Sequence, residues 1–323
     1  MITPFYFDEE LFEDNLLRKI PIMSDSILNS WERYGCLAMS DDSKREIREA
    51  LKVIPEKYKQ KWIIALTSFK TFKIDIEKNR LSDLEGITDF ERKFYNNRVY
   101  TGLIASEFLD IYEEKKLMKE GNQLEIVSPS NLNESINFNN SAMYCESDIT
   151  ANDDIDIVWN TRFCSLVRHS KTITVIDRYL AENLIRDFQN GNKSSLEWLV
   201  QKLASYETNY KLDIFSACDR YNSVINSSDL KDFIDNTLKK KPYFREGKID
   251  INFSLCKDRL FGQKAHDRML CIDKHVVQIG KGVDIFRDKI IENNTFTIKP
   301  KNTSFFQDVY KDLNKNREWV YPK

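Results

Sequence analysis

One short segment, His266-Asp-Arg-Met-Leu-Cys-Ile-Asp273, carries the side chains best suited to phosphate chemistry. Side chains alternate between the two faces of a β-strand, so His266 and Arg268 are predicted to project on the same face. A guanidinium fork matches phosphate oxygens, and an imidazole can attack phosphorus or move a proton. Asp273 falls at the strand end, where it could orient an imidazole or a backbone turn. The segment therefore predicts an anion site with catalytic potential.

A second segment, Gly280-Lys281-Gly282, follows Asp273 after six intervening residues. Glycines allow a ligand to approach the backbone closely, and the N–H groups of the segment together with Lys281 are predicted to bind phosphate. Asp284 is a candidate for supporting this site. His275 could also face it, although an exposed histidine at a strand end is the favoured interpretation.

The spacing His266-x-Arg268-x4-Asp273-x6-Gly280 resembles the signature of the phospholipase D superfamily, with arginine in place of the usual lysine. Residues from about 161 to 323 are most similar to the phospholipase-D-like domain at the C-terminus of MIT-domain proteins. Members of that family carry a His-Asp-Arg segment, an Asp, and then a stretch like Ile-Gly-Lys-Gly-Val-Asp-Ile-Phe. The segment Thr-Ile-Thr-Val-Ile-Asp-Arg-Tyr, which starts at Thr172, resembles the opening strand of the domain.

This resemblance implies two functions. Superfamily enzymes use two such motifs without a metal or other cofactor: one histidine forms a phosphohistidine and the other is the general acid. The leading hypothesis is therefore a phosphodiesterase, expected to be a nuclease of a bacterial defence or conflict system, with His266, Arg268 and Asp273 as catalytic residues. The MIT-type domains are implied to be non-catalytic and to bind phosphoinositide-containing membranes. Arg268 and Lys281 match that type, so the alternative is a non-catalytic phosphate- or membrane-binding and dimerisation module.

A second catalytic motif within the chain is not predicted. His169-Ser-Lys171 has an aspartate, Asp177, one residue beyond the required position, and a solvated turn is the favoured interpretation. An active enzyme would therefore need a second His266 from a homodimer partner. The basic stretch from Lys239 to Arg245 could contact phosphates, but it also suits the C-terminus of a helix.

Composition indicates a globular protein with a net charge of -2 and no global basic field. The six cysteines form no CxxC pair, so we expect reduced thiols and no metal site. The N-terminus lacks the basic start and apolar run of a signal peptide, and no apolar stretch is long enough to cross a membrane. A cytoplasmic protein is expected.

The pattern along the chain predicts the α/β class, with an N-terminal domain over residues 1–155 and a phospholipase-D-like domain over residues 156–323. The N-terminal domain is predicted to be mixed and helix-rich, with a helix at 43–54, an amphipathic helix at 108–118 and an ambiguous strand at 62–66. The Ser-, Asn- and Asp-rich stretch at 128–155 is predicted to be a linker-like loop. In the second domain strands alternate with helices, as in layered α/β folds; strands are predicted at 172–176, 212–216, 248–254, 266–272 and 276–279, and helices at 181–188, 194–203 and 228–238.

The N-terminal segment Phe5-Tyr-Phe-Asp8-Glu9-Glu10 is similar to the start of metal-dependent PIN-type nucleases, where a strand is followed by an aspartate. Asp41, Asp42 and Glu46 are further acids, but their spacing does not define a metal site. A solvated acidic turn is the favoured interpretation.

Overall fold

The computed structural model describes residues 1–75, 80–119, 122–220, 223–246, 248–264, 268–287 and 291–322. The chain separates into two compact units, Met1–Cys145 and Glu146–Lys323. Both units combine helices with a sheet, and the predicted α/β class is confirmed.

The N-terminal unit is built on a sheet with the strand order β3-β2-β1-β4-β6-β5. Its strands are parallel except for the edge strand β5, which pairs antiparallel with β6. Apolar clusters lie on both faces of the sheet, as expected when helices cover a parallel sheet. The strands are β1 Thr3–Tyr6, β2 Gly35–Met39, β3 Thr71–Lys73, β4 Thr101–Leu103, β5 Lys116–Lys119 and β6 Asn122–Val127.

In this unit one ambiguous segment is helical, and one predicted helix is wrong. The apolar run from Trp62 to Leu66 lies inside helix α4, where Trp62, Ala65 and Leu66 face the core at helical spacing. The predicted helix at 108–118 is instead a 3-10 helix followed by β5. The helices are α1 Asn15–Lys19, α2 Pro21–Tyr34, α3 Asp41–Ala50, α4 Glu56–Ser68, α5 Ile87–Phe94 and α6 Ile136–Glu146. Short 3-10 helices span Glu9–Glu13, Leu51–Val53, Leu81–Asp83, Tyr95–Asn97, Ser106–Ile111 and Pro129–Glu134.

Much of the predicted loop at 128–155 is also helical, because a buried carboxylate caps α6. Glu125, fully buried on β6, accepts hydrogen bonds from the backbone N–H of Ile136 at 2.9 Å and of Asn137 at 3.2 Å. An anionic acceptor at the first turn stabilises a helix whose own sequence is rich in asparagine and serine. Composition alone therefore gave the wrong structure for this stretch.

The C-terminal unit is built on a sheet with the order β14-β13-β12-β7-β8-β11-β15. Strands β7, β8 and β11 are parallel, whereas β12, β13, β14 and β15 pair antiparallel with their neighbours. The strands are β7 Thr172–Ile176, β8 Tyr210–Ala217, β9 Asp219–Arg220, β10 Ser223–Val224, β11 Ile249–Cys256, β12 Arg268–Ile272, β13 His275–Ile279, β14 Phe296–Pro300 and β15 Arg317–Tyr321; β9 and β10 form a separate small hairpin.

The helices of this unit are α7 Ile155–Val158, α8 Cys164–Arg168, α9 Leu180–Gln189, α10 Ser195–Ala204, α11 Ser227–Asp232, α12 Pro242–Glu246, α13 Arg259–Lys264 and α14 Phe306–Lys315. Single π-helical segments, Trp159–Phe163 and Phe233–Leu238, follow α7 and α11, and 3-10 helices span Gly282–Phe286 and Lys301–Thr303. The three helices predicted for this unit correspond to α9, α10 and α11 with the π-helical segment after it, and the other helices were not predicted.

Candidate functional site

The candidate site lies at the edge of the C-terminal sheet where the parallel strands β7, β8 and β11 end. The chain leaves β7 toward β8 on one side, while β12 flanks β7 on the other side. Ligands of open α/β sheets commonly bind outside the carboxyl ends of the strands, at the point where the strand order reverses. Because β12 is antiparallel to β7, with Met269 opposite Ile176, the first residue of β12, Arg268, lies at this edge.

The hairpin of β12 and β13 explains the spacing of the motif. Arg268 pairs with Ile279 at the open end, and Ile272 pairs with His275 next to the turn. The chain runs out along β12, turns at Asp273 and returns along β13. The segment from Gly280 to Gly282 is thereby brought back beside Arg268.

The Arg268 side chain is bound within the protein. Its Nε lies 3.7 Å from Oδ1 of Asp177, and its guanidinium carbon lies 4.3 Å from the centre of the Tyr179 ring. Nη1 donates a hydrogen bond to the carbonyl oxygen of Lys281. The predicted phosphate-binding cation is therefore already neutralised by an internal carboxylate.

Asp177 is the central residue of this site, although it lies outside the motif. It follows β7 directly and is 1% exposed. Its carboxylate accepts hydrogen bonds from the backbone N–H of Tyr179 at 3.0 Å and of Val283 at 3.1 Å. Burial raises the pKa of this carboxyl to about 6, and the nearby Arg268 opposes that rise. The available sequence signal was its position, directly after a predicted buried strand.

The raised pKa of Asp177 predicts that this carboxyl contributes more to the stability of the C-terminal unit at acid pH than at neutral pH. The pKa of about 6 in the folded state exceeds the ordinary value of 3.8, so the folded state binds the proton more tightly than the unfolded state. The contribution of this group is fully present below the ordinary pKa and is lost as the pH rises through 6. Between pH 7 and pH 4 it should change by about 2 kcal/mol.

Urea unfolding at several pH values, followed by hydrogen exchange of peptides from β7 and β12, measures this dependence. Asp177→Asn is the matched control, since an amide does not titrate. The difference in unfolding free energy between the two proteins should change with pH in the direction given above. Parallel profiles from pH 4 to 7 would contradict the assignment.

The glycine segment is closed by the protein's own acceptors. The N–H of Lys281 donates to Oδ1 of Asn294 at 2.9 Å, and the N–H of Val283 donates to Asp177. The exposed Lys281 side chain pairs with Glu292. The segment thus lies beside Arg268, but the N–H of Lys281, one of the predicted phosphate donors, is already bound within the protein.

Asp284 lies behind this segment in a network of polar side chains from α9 and α10. It accepts hydrogen bonds from Nδ2 of Asn183 and, at 3.4 Å, from Oγ of Ser195, and lies 3.3 Å from Nη2 of Arg287. Arg287 also pairs with the buried Asp187 at 3.0 Å. Burial raises the pKa of the carboxyls of Asp187 and Asp284. The hydrogen bonds of Asp284 therefore link it to α9 and α10.

Asp273 and His275 lie at the far end of the hairpin from Arg268. At about 3.4 Å per residue, the length of β12 separates Asp273 from Arg268 by roughly 17 Å. The Asp273 carboxylate holds the backbone turn, since it accepts hydrogen bonds from the N–H of Thr172 at 2.9 Å and its hydroxyl at 2.8 Å. The structure therefore does not bring Asp273 to the other site residues. His275 is 1% exposed, because β13 is paired on both sides, so the expected exposure is wrong.

His266 lies outside the described residues, so its predicted orientation beside Arg268 stays a prediction. His169 lies in the turn between α8 and β7 and is partly buried. The basic stretch is engaged locally: Lys239 lies 3.7 Å from Asp235, and Lys241 lies 3.4 Å from Glu197.

The acids after β1 do not form a solvated turn, contrary to expectation. Asp8 is 3% exposed and caps local backbone, accepting from the N–H of Glu10 at 2.9 Å and of Leu81 at 2.6 Å. Burial raises its pKa to about 7. Glu10 is also buried and lies 3.3 Å from Nη1 of Arg80. These acids tie the loop after β3 to the end of β1.

Across the described part of the chain, no group of three or more His, Cys, Asp or Glu side chains could hold a metal ion. No helix within those same ranges is long and apolar enough to cross a membrane.

Comparisons with known proteins give little further information. No known protein family and no curated protein matches the sequence. Among solved structures, the chain is similar to TrmBL2, an archaeal chromatin protein whose structure shows a novel mode of DNA binding. The match has 13% identity and a TM-score of 0.25, and covers 54% of each chain, so this chain spans about half the length of that protein. A TM-score of this size identifies neither a shared fold nor a shared function.

Proposed function

We propose that the C-terminal unit is a phospholipase-D-like domain that serves as a non-catalytic interaction module. Two features support the fold. The hairpin of β12 and β13 accounts for the intervals from Arg268 to Gly280, and Arg268 lies at the edge of the sheet where α/β proteins bind ligands. The partners that the family resemblance implies are phosphate-bearing membranes and a second copy of the chain.

The pairing of Arg268 with Asp177 carries the proposal that the module does not cleave phosphodiesters. Phosphoryl transfer requires cations and N–H donors directed at the phosphate oxygens. Here the arginine of the motif faces a buried carboxylate and the Tyr179 ring, and the N–H of Val283 is used by the same carboxylate. A phosphodiester would have to displace Asp177 and would meet its negative charge.

A phosphodiesterase, such as a nuclease of a bacterial defence system, is the second candidate. One observation favours it. Gly280 and its neighbours lie beside the first residue of β12, which comes shortly after His266 in the chain. In such an enzyme His266 would form the phosphohistidine, and a partner copy would supply the second histidine.

Hydrolysis assays separate the two candidates. The intact protein should show no chelator-resistant cleavage of DNA, RNA, phospholipid or bis-nitrophenyl phosphate that depends on His266. The comparison is between wild type, His266→Ala and the matched control His169→Ala.

Chelator-resistant cleavage that His266→Ala abolishes and His169→Ala retains would establish the enzyme instead. Cleavage that needs a metal and persists in His266→Ala would place an active site outside the motif. The absence of cleavage under all conditions is the result expected for an interaction module.

A further inference from the structure

A row of lysines crosses the edge of the C-terminal sheet opposite to the edge at which Arg268 lies. Strands β7, β8 and β11 begin at this edge, the turn between β12 and β13 lies there, and β14 ends there. Neighbouring strands lie about 4.8 Å apart, so the distance across the sheet from β11 to β14 is roughly 24 Å. Each of these five places carries one lysine at or next to the strand end, in the spatial order Lys248, Lys211, Lys171, Lys274 and Lys301.

Backbone hydrogen bonds fix the positions of neighbouring lysines in this row. The N–H of Lys211 donates to the carbonyl oxygen of Lys171 at 2.8 Å, and the N–H of Lys301 donates to the carbonyl oxygen of Lys274 at 2.8 Å. Asp273, the residue before Lys274, accepts from the N–H of Lys171 at 3.3 Å. The backbones of these lysines therefore belong to the hydrogen-bond network of the sheet.

The ammonium groups nearest β14 are available to a ligand. Lys171 and Lys274 are exposed, and Lys301 is partly buried. Within the part of the chain that the structure describes, none of these three side chains forms an ion pair. An aspartate of β8 and an aspartate of β11 lie beside Lys211, the former at 3.8 Å. The uncompensated positive charge is therefore concentrated toward β14.

An aromatic ring is exposed at the same end of the row. Phe305 precedes α14 and is 78% exposed, although large apolar side chains are usually buried. The N–H of Ser304 donates to the carbonyl oxygen of Lys301 at 3.3 Å, which holds the chain before Phe305 in a turn. The next ring, Phe306, is buried, and the Lys301 ammonium lies 5.0 Å from its centre. The turn is therefore anchored by Phe306 and presents Phe305 to solvent.

We propose that this edge of the sheet binds single-stranded nucleic acid, with the lysines contacting successive phosphates and Phe305 stacking on a base. Lysine ammonium groups bind phosphate as point charges, and proteins that bind single strands combine a positively charged track with exposed aromatic rings. A stacked strand carries one phosphate per about 3.4 Å, so a row of roughly 24 Å would face up to about seven phosphates.

An anionic membrane fits this surface less well. Membrane anchors of this kind bury a continuous apolar face in the boundary between headgroups and acyl chains. The residues around Phe305 are polar instead: Asn302, Thr303, Ser304, Gln307 and Asp308. The lysine row is separate from the Arg268 site, so its role goes beyond the proposed function and does not rest on it.

Binding of a labelled thymidine oligonucleotide to the full chain, followed by fluorescence anisotropy at several salt concentrations, tests the lysines. Lys274→Gln/Lys301→Gln should weaken binding roughly ten-fold at low salt. It should also reduce the slope of log affinity against log salt by about 1.4, since each phosphate contact in a single strand contributes about 0.7. The matched control Lys257→Gln/Arg259→Gln removes two exposed positive charges that follow β11 at the opposite edge, and it should leave the slope unchanged.

Phe305 is tested in the same assay. Phe305→Ala should weaken binding roughly ten-fold without changing the salt slope, because it removes stacking and no charge. Phe305→Trp should retain binding. A duplex of the same oligonucleotide with its adenosine complement should bind more weakly than the single strand, since its paired bases cannot stack on the ring.

The proposal is overturned if the oligonucleotide does not bind, if the control pair reduces affinity and slope as much as Lys274→Gln/Lys301→Gln, or if Phe305→Ala has no effect. Sedimentation with vesicles of phosphatidylcholine and phosphatidylserine distinguishes the membrane. Vesicle binding that needs Lys274, Lys301 and Phe305, without oligonucleotide binding, would replace nucleic acid with a membrane surface. Hydrolysis is not measured in these assays, so their failure is distinct from a failure of the proposed function.

Discussion

Replacing Arg268 with methionine should lower the unfolding free energy of the C-terminal unit by about 3 kcal/mol at pH 7. The change leaves the buried carboxylate of Asp177 without its cation. It also removes the hydrogen bond to the Lys281 carbonyl and the contact with the Tyr179 ring. The electrostatic part of the cost is limited, since Asp177 can take up a proton from a pKa that is already about 6. Urea unfolding, followed by hydrogen exchange of peptides from β7 and β12, measures the change.

Two further variants test whether the lost ion pair with Asp177 causes this loss of stability. Lys281→Met removes a cation of the same segment from an exposed pair with Glu292, and it should change stability by less than about 0.5 kcal/mol. The double variant Arg268→Met/Asp177→Asn should lose less stability than the two single changes add up to, because neither charge is then left alone. Additive losses, or equal effects of Arg268→Met and Lys281→Met, would show that the pair is not coupled.

Gly282→Ala should lower the unfolding free energy of the C-terminal unit at least as much as Arg268→Met does, by about 3 kcal/mol or more. The left-handed backbone is strained for alanine, and its Cβ would lie 2.1 Å from Asp177 Oδ2 and 2.4 Å from Arg268 Cδ. The pair must therefore separate to admit a single methyl group. The same unfolding measurement applies, and the N–H of Val283 should exchange faster.

Gly191→Ala isolates the backbone part of this cost. Gly191 has φ +68, and a Cβ there would meet no heavy atom within 4 Å. Its replacement should cost only about 1 kcal/mol. A loss at Gly282 no larger than the loss at Gly191 would mean that the site can expand, and the close contact with Asp177 would then have no energetic consequence.

The C-terminal unit was the more predictable of the two. Its strands carry β-branched runs, such as Thr172–Ile176, and its helices have clear apolar faces, such as Ser195–Ala204. In both cases the local pattern and the buried face agree, so a single sequence suffices.

The N-terminal unit was less predictable because long-range contacts determine it. The capping of α6 by Glu125 depends on a residue from β6, and the composition of α6 itself favours a loop. Lys116–Lys119 forms an exposed edge strand only because β6 lies beside it. Neither fact can be read from the local segment.

For the candidate site, the sequence located the residues but not their chemical state. The spacing correctly brings Arg268 and Gly282 together, since hairpin arms have a fixed rise per residue. It gives no information about Asp177, which reaches the site from β7, roughly ninety residues earlier in the chain. The carboxylate that neutralises the motif is therefore visible only in three dimensions.

The β12–β13 hairpin has a consequence for how such motifs are recognised. The two strands of the hairpin must be equal in length for their ends to meet. The four residues between Arg268 and Asp273 and the six residues between Asp273 and Gly280 are therefore set by the geometry of the hairpin. A pattern search that scores those intervals detects the hairpin. A protein that keeps the hairpin without catalytic activity would therefore match the pattern equally well. Because Asp177 lies at the end of β7, outside those intervals, such a search does not detect the carboxylate that pairs with Arg268.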